Sequence, residues 1–304
     1  MAAHPAGAVQ QSAAGGDAGA LLETAFDPAR RLVVPVWLNG KGPFEFVIDT
    51  GANRSVVSRE VAMACDLPPA GQAQIHGIVS VETTALVRVA KLRVGDVLNT
   101  GMLLPVVPGA RLGGQGILGL DAMHGRRVVL GFRDHSFQIS ASGLGAEVAR
   151  GLNTRIPARD APITVPARYR AGQLVILDAV AAGKAITAFL DSGSQVTVGN
   201  LNLRALVAAA QPLSGQAVLH SELASATGQR LDAEFAPLAD LRLGGQRLGS
   251  PLAAFADLHI FSLWDLQTRP TVLIGVDILS RFAQVAFDFG HKTVTFWPLR
   301  GERS

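Results

Sequence analysis

Cysteine is almost missing from this sequence of 304 residues: Cys65 stands alone. That excludes an intramolecular disulfide and a thiolate metal cluster, each of which needs a second cysteine. Cys65 falls on the apolar side of a short helical stretch and reads as a small buried hydrophobe rather than a nucleophile. Lysine is scarce too, four residues among 27 Lys and Arg, so the formal charge of +3 rests on arginine. The arginines form no run and no basic patch interleaved with aromatics, which argues for a solvated surface and against a nucleic-acid partner. No stretch reaches 18 apolar residues, so no membrane-spanning helix is expected. The seven histidines show no H-E-x-x-H or other ligand spacing, and no metal is expected. No G-x-S-x-G elbow occurs, against a serine hydrolase of that type. The first Lys or Arg is Arg30, so the start lacks the basic opening and apolar core of a signal peptide. Residues 1–27, rich in Ala and Gly at the start, are expected to form a disordered tail.

What the chain does contain is one unusual sequence twice. Phe46-Val47-Ile48-Asp49-Thr50-Gly51 returns as Ala188-Phe189-Leu190-Asp191-Ser192-Gly193. From average residue usage an Asp-Thr/Ser-Gly triplet arises on the order of 0.1 times in a chain of this length, so a matched pair is a strong signal. Each copy is followed by two aliphatics and a glycine: Ile117-Leu118-Gly119 and Leu273-Ile274-Gly275. Ahead of each triplet lie two strands around a turn, Leu32 to Leu38 with Pro43 to Ile48, and Leu174 to Val180 with Ala185 to Leu190. After each comes a short strand and a helical stretch, around Arg59 to Cys65 and Leu201 to Ala210. Each half closes on a hairpin, Val128 to Phe132 with Phe137 to Ile139, and Val285 to Phe289 with Val294 to Phe296. The triplets are 142 positions apart and the glycine pairs 156, so the second copy carries 14 more residues, most simply within Leu252 to Thr271. Frequent strands, dense turn signals and few amphipathic helices set the class as all-β. The expected division is a lobe over 28–145, a linker over 146–165 and a second lobe over 166–300.

A carboxylate from each copy gives chemistry a reason to need both. Two carboxylates about 3 Å apart cannot both ionise cheaply, so they share a proton and offer an acid and a base in one place. Asp49 and Asp191 are the candidates. Gly51 and Gly193 suit a sharp turn that brings backbone N–H groups to the carboxylates. Gly119 and Gly275 suit a tight crossing, and the hydroxyls of Thr50 and Ser192 are placed to bond across an axis between the copies. Ser194 follows the second triplet where Ala52 follows the first. A hydroxyl donated to Asp191 would favour its charged form, so Asp191 is the expected ionised partner and Asp49 the protonated one. Asp121 and Asp277 also recur and read as helix N-caps. Gly114 to Gly119 spells G-x-G-x-x-G, but without the strand and helix that a dinucleotide site requires. Phe261, Trp264 and Leu266 suit either core packing or a substrate subsite.

These motifs resemble those of the retropepsin-like and pepsin-like aspartic peptidases, in particular bacterial enzymes with two retropepsin-type lobes fused in one chain. The resemblance covers about residues 30 to 300. It implies a bilobal fold with pseudo-twofold symmetry and a central cleft, an extended polypeptide substrate, and endopeptidase activity without a cofactor. Family flaps are hairpins between triplet and glycine pair. Here the first falls near Ile75 to Leu86, with Gly77, Ile78, Val79, Ser80 and Val81 about its tip, and the second near Gly228. The sequence departs from the pepsin branch in having no flap tyrosine, since its single tyrosine is Tyr169, and no basic prosegment. A monomer is expected because one chain carries both half-sites. The rival is a peptide-binding module on the same fold with hydrolysis lost. A periplasmic or secreted location, its signal removed, is expected, with the cytoplasm as alternative.

Overall fold

The computed structural model describes residues 20–27, 30–77, 81–143, 161–170, 172–176, 178–210, 219–224 and 230–299. Strand makes up 55% and helix 14%, so the all-β class holds. The first half of the chain closes a six-stranded barrel. Leu32–Leu38 pairs antiparallel with Lys41–Ile48, which runs parallel to Gly116–Leu118. Gly116–Leu118 lies antiparallel to Val56–Ser58, itself parallel to Val97–Val107. Val81–Val94 pairs with Val97–Val107 and returns to Leu32–Leu38, completing the ring.

The second half repeats this order of pairings with the same senses. Gln173–Ile176 pairs antiparallel with Thr187–Leu190, which runs parallel to Thr271–Ile274. Val198–Gly199 lies antiparallel to that strand and parallel to Leu252–Phe255, which pairs with Arg230–Pro237. The return passes through Ala179–Ala181 against Leu241–Leu243. The repeat is residue-exact where it matters: Val47 sits opposite Ile117, and Phe189 opposite Leu273. The difference is that the long strands of the first barrel are each broken here. Leu174 to Val180, expected as one strand, is divided before Ala179.

The closing hairpins of the two halves meet. Arg126–Gly131 pairs with Phe282–Asp288, placing Leu130 opposite Val285. With Ser136–Ala141, Thr293–Pro298, Ala20–Glu23 and Ile163–Arg170, they make six consecutive strands of one sheet. Its buried aromatics, Phe137, Phe282, Phe287 and Phe296, are at most 1% exposed. Each such burial contributes roughly 2–3 kcal/mol.

Three expectations are corrected. Ala20–Glu23 and Ala25–Phe26 are strands rather than tail: the first pairs with Ser136–Ala141 and the second with Leu32–Leu38. Ile163 to Val165, expected in the linker, pair with Val294 to Phe296. The 14 extra residues do not all fall within Leu252 to Thr271. Val106 to Ile117 spans 11 positions and its counterpart Phe255 to Leu273 spans 18, which accounts for seven. The other seven lie between Gly199 and Phe255, where the helix Leu201–Ala210 is four residues longer than Arg59–Ala64.

Candidate active site

Each Asp follows a strand with no exposed face at its end. Phe46, Val47 and Ile48 are buried, as are Ala188, Phe189 and Leu190, so both strands run through the core up to the Asp. The parallel partner holds the end of each. The Asp49 N–H donates to Leu118 O at 3.0 Å and the Leu120 N–H to Ala52 O at 2.8 Å; Asp191 to Ile274 at 2.9 Å and Val276 to Ser194 at 2.8 Å repeat this. Each Asp loop is thereby tied to its aliphatic-Gly turn.

The two loops meet. Thr50 Oγ1 donates to Leu190 O at 2.9 Å, and Ser192 Oγ to Ile48 O at 2.7 Å. In return Thr50 N–H donates to Ser192 Oγ and Ser192 N–H to Thr50 Oγ1, both at 3.1 Å. Four reciprocal bonds between side chains at most 3% exposed make one rigid unit of the loops. Gly51 and Gly193 matter for room rather than for turning: neither has positive φ, and a Cβ on Gly51 would overlap the Asp191 carboxyl while one on Gly193 would overlap that of Asp49. At Gly119 a Cβ would lie 2.5 Å from the Arg54 carbonyl carbon, and at Gly275 2.8 Å from that of Val196.

The carboxylates of Asp49 and Asp191 share a hydrogen bond. Asp49 Oδ1 accepts from the N–H of Gly51 at 2.8 Å and of Ala52 at 2.9 Å. Asp191 Oδ1 accepts from Gly193 at 2.8 Å and Ser194 at 3.2 Å. Burial pushes both above the ordinary carboxylate range, and Asp191 well above it, because the Asp49 charge and the shared bond add to burial there. The two carboxyls titrate as a unit sharing one proton, and Asp191 lacks the hydroxyl donor expected from Ser194. The Ser194 hydroxyl donates instead to Val196 O at 2.9 Å, within its own turn. The expected N-caps are also corrected. Gly119 and Gly275 hold those cap positions. Asp121 accepts from Ser55 Oγ at 2.6 Å, and Asp277 from Thr197 Oγ1 at 2.7 Å. Those hydroxyls in turn accept from the Gly119 and Gly275 N–H groups, each at 3.0 Å.

A hairpin of Pro69–His76 and Val81–Val94 stands where the first flap is expected. Gly77 and Val81 flank its tip, whereas Ile78, Val79 and Ser80 lie outside the described residues. Thr84 bonds Val106 O, Glu82 pairs with Arg111 at 2.6 Å, and His76 Nδ1 lies 3.3 Å from His259 Nε2. His259 opens the helix His259–Leu263 of the second half, so this hairpin spans from one half to the other. Gly228 also lies outside the described residues, between the paired strands Leu219–Ala224 and Arg230–Pro237. Phe261, Trp264 and Leu266 are core: Trp264 packs on Phe189, ring centroids 4.7 Å apart. Cys65 is buried, and burial raises its thiol.

Sequence reasoning missed two groups here, Gln173, which reaches the Gly51 carbonyl from the other half, and His76 with His259. Residues 34–122 match the family described as Aspartyl protease. The matched stretch includes Asp49 and Gly119 and ends before Asp191. No curated protein matches the sequence.

Proposed function

We propose that the chain is an aspartic endopeptidase of two fused lobes, hydrolysing an extended polypeptide in the cleft between them. The observation that carries this is the shared hydrogen bond between Asp49 and Asp191, on two loops braced by reciprocal Thr50 and Ser192 bonds. The family match over residues 34–122 supports a protease in general.

In this reading Asp49, near the Arg31 cation, carries the charge and Asp191 the shared proton. Asp49, ionised, takes a proton from a water held between the carboxylates. The resulting hydroxide attacks the peptide carbonyl carbon while Asp191 gives its proton to the carbonyl oxygen, forming a tetrahedral intermediate. Asp49 then passes its proton to the leaving nitrogen, the C–N bond breaks, and the diol proton returns to Asp191. Gly51, Ala52, Gly193 and Ser194 N–H groups hold both carboxylates in place throughout.

The rival, a peptide-binding module, keeps the cleft and loses the hydrolysis. Intact paired carboxylates speak against it, since burying them is unfavourable without a use for them. Incubation with a diverse peptide pool, read by mass spectrometry, separates the two. The proposal expects new peptide termini from the parent chain and none from Asp49→Asn or Asp191→Asn. Peptide retained without cleavage by the parent would favour the binding module.

A further inference from the structure

Gln173 opens a strand of the second half, yet its side chain serves the first Asp loop. It is 2% exposed, and its Nε2 donates at 2.8 Å to the Gly51 carbonyl and at 2.8 Å to Asn53 Oδ1. A carbonyl can only accept, which fixes the nitrogen of the amide toward Gly51. Room for Asn53 beside it comes from Gly172, where a Cβ would lie 2.7 Å from Asn53 Oδ1 and φ is +85°.

The Gly51 carbonyl is one end of a peptide unit whose other end is the Ala52 N–H, the donor to Asp49 Oδ1 at 2.9 Å. The bonds run in series from Gln173 Nε2 through this peptide to the carboxylate, and bonds in series polarise one another. We propose that Gln173 is a positioning residue that fixes and polarises the Gly51–Ala52 peptide, so that Asp49 becomes the charge-bearing member of the pair. The proposal rests on the reading of Asp49 and Asp191 as the reacting carboxylates.

The other half is built differently. The residue 142 positions earlier in the repeat is Arg31, which pairs with Asp27 at 2.6 Å and donates to Leu112 O at 3.3 Å. On that side the N–H corresponding to Ala52, that of Ser194, stands 3.2 Å from Asp191 Oδ1. The charged or titratable groups acting on Asp49 are Asp191, across the shared bond, and the Arg31 cation, which also favours the charged form. Arg31 and Gln173 thus bias the pair the same way, one by charge and one through a peptide.

The test is a titration of the full chain with 13C-labelled Asp carboxyl carbons, beside the acid limb of its pH–rate profile. Gln173→Met conserves length and removes the donor; Gln173→Asn withdraws it by one methylene. Tyr169→Phe, which deletes a 2.6 Å bond to Phe289 O in the turn after Phe282–Asp288, controls for general loosening. Removing a donor from the charged form raises its pKa. Both Gln173 variants are therefore expected to move the lower apparent pKa of the pair, and with it the acid limb, upward by about half a unit to one unit, and Tyr169→Phe to move neither. Variants that keep the parent's circular dichroism and titrate like the parent would overturn the proposal, as would an equal shift in Tyr169→Phe. Because the carboxyl titration needs no substrate, a shift seen without any cleavage supports the role of Gln173 while refuting the peptidase reading.

Discussion

Asp191 is buried beside another carboxylate, a placement that costs stability wherever both are charged. Its folded pKa is raised by burial, by the Asp49 charge and by the shared bond. A raised folded pKa means that the folded state binds the proton more tightly than the unfolded chain. Stability from this group is therefore greatest below the unfolded carboxylate pKa and is lost as pH rises through the folded one. Asp191→Asn keeps an acceptor for the Gly193 and Ser194 N–H groups and offers Asp49 a neutral donor. It is expected to raise the thermal midpoint at pH 7 by about 2–4 °C, a gap that closes in acid, while removing cleavage. Thermal unfolding of both forms across pH checks this; a variant less stable at pH 7 would contradict it. The hydroxyls across the loops work in the opposite sense. Thr50→Val leaves the Ser192 N–H without its buried acceptor and the Leu190 carbonyl without its donor, and is expected to lose about 2–4 kcal/mol of unfolding free energy. Thr50→Ser, which keeps the oxygen, should recover most of it in denaturant titrations. These residues were legible because the triplet occurs twice. Gln173 was not, because one polar residue at the start of a strand carries no sign of what it reaches across a fold.

At the scale of elements, the hairpin of Pro69–His76 and Val81–Val94 depends on few ties near its tip. The His76 and His259 rings are parallel to within 4° with centroids 5.6 Å apart. Since the bonded nitrogens are 3.3 Å apart, the difference is about two ring radii, so the rings lie end to end, with an N–H of one facing the lone pair of the other. His259→Ala should speed amide exchange in 70–76 and 81–86 about tenfold, while Val89 and Met102, paired where Val81–Val94 meets Val97–Val107, hold their rates. Unchanged exchange near the tip would show that this contact does not hold the hairpin down. The hairpin itself was expected only from the family resemblance, which places a flap between Asp triplet and glycine pair. The histidine contact was not, since its members lie 183 positions apart. The same holds for the seven residues between Phe255 and Leu273 that build the helix His259–Leu263: their apolar pattern suited a subsite as well as a core, and only Phe189 under Trp264 decides for the core.

At the scale of the whole molecule, the six-stranded run of sheet joins the halves, and Asp288, at the end of a central strand, ties down the turns beside it. Its carboxylate accepts from Ser142 Oγ, from the Gly143 N–H at 3.1 Å and from the His291 N–H at 2.9 Å. Burial would raise its pKa, but these donors outweigh burial and hold it below the ordinary range. A depressed pKa contributes stability above the unfolded value of about 3.9, lost as pH falls through the folded one. Asp288→Asn should therefore reduce unfolding free energy by about 1–2 kcal/mol at pH 7 and by progressively less in acid. A loss of equal size at pH 7 and in strong acid would mean that charge has no part in these ties. The repeat made each half's closing hairpin legible, but not that the two hairpins pair, since strand partners are chosen by tertiary packing and not by local pattern.

The central claim is that Asp49 and Asp191 share one proton and together hydrolyse a peptide bond. Its most direct measurement is the rate of peptide cleavage from about pH 3 to about pH 8 by the parent chain, Asp49→Asn and Asp191→Asn. The account predicts a bell-shaped profile whose two limbs belong to the pair, and no cleavage from either variant. Cleavage that survives either substitution would contradict it.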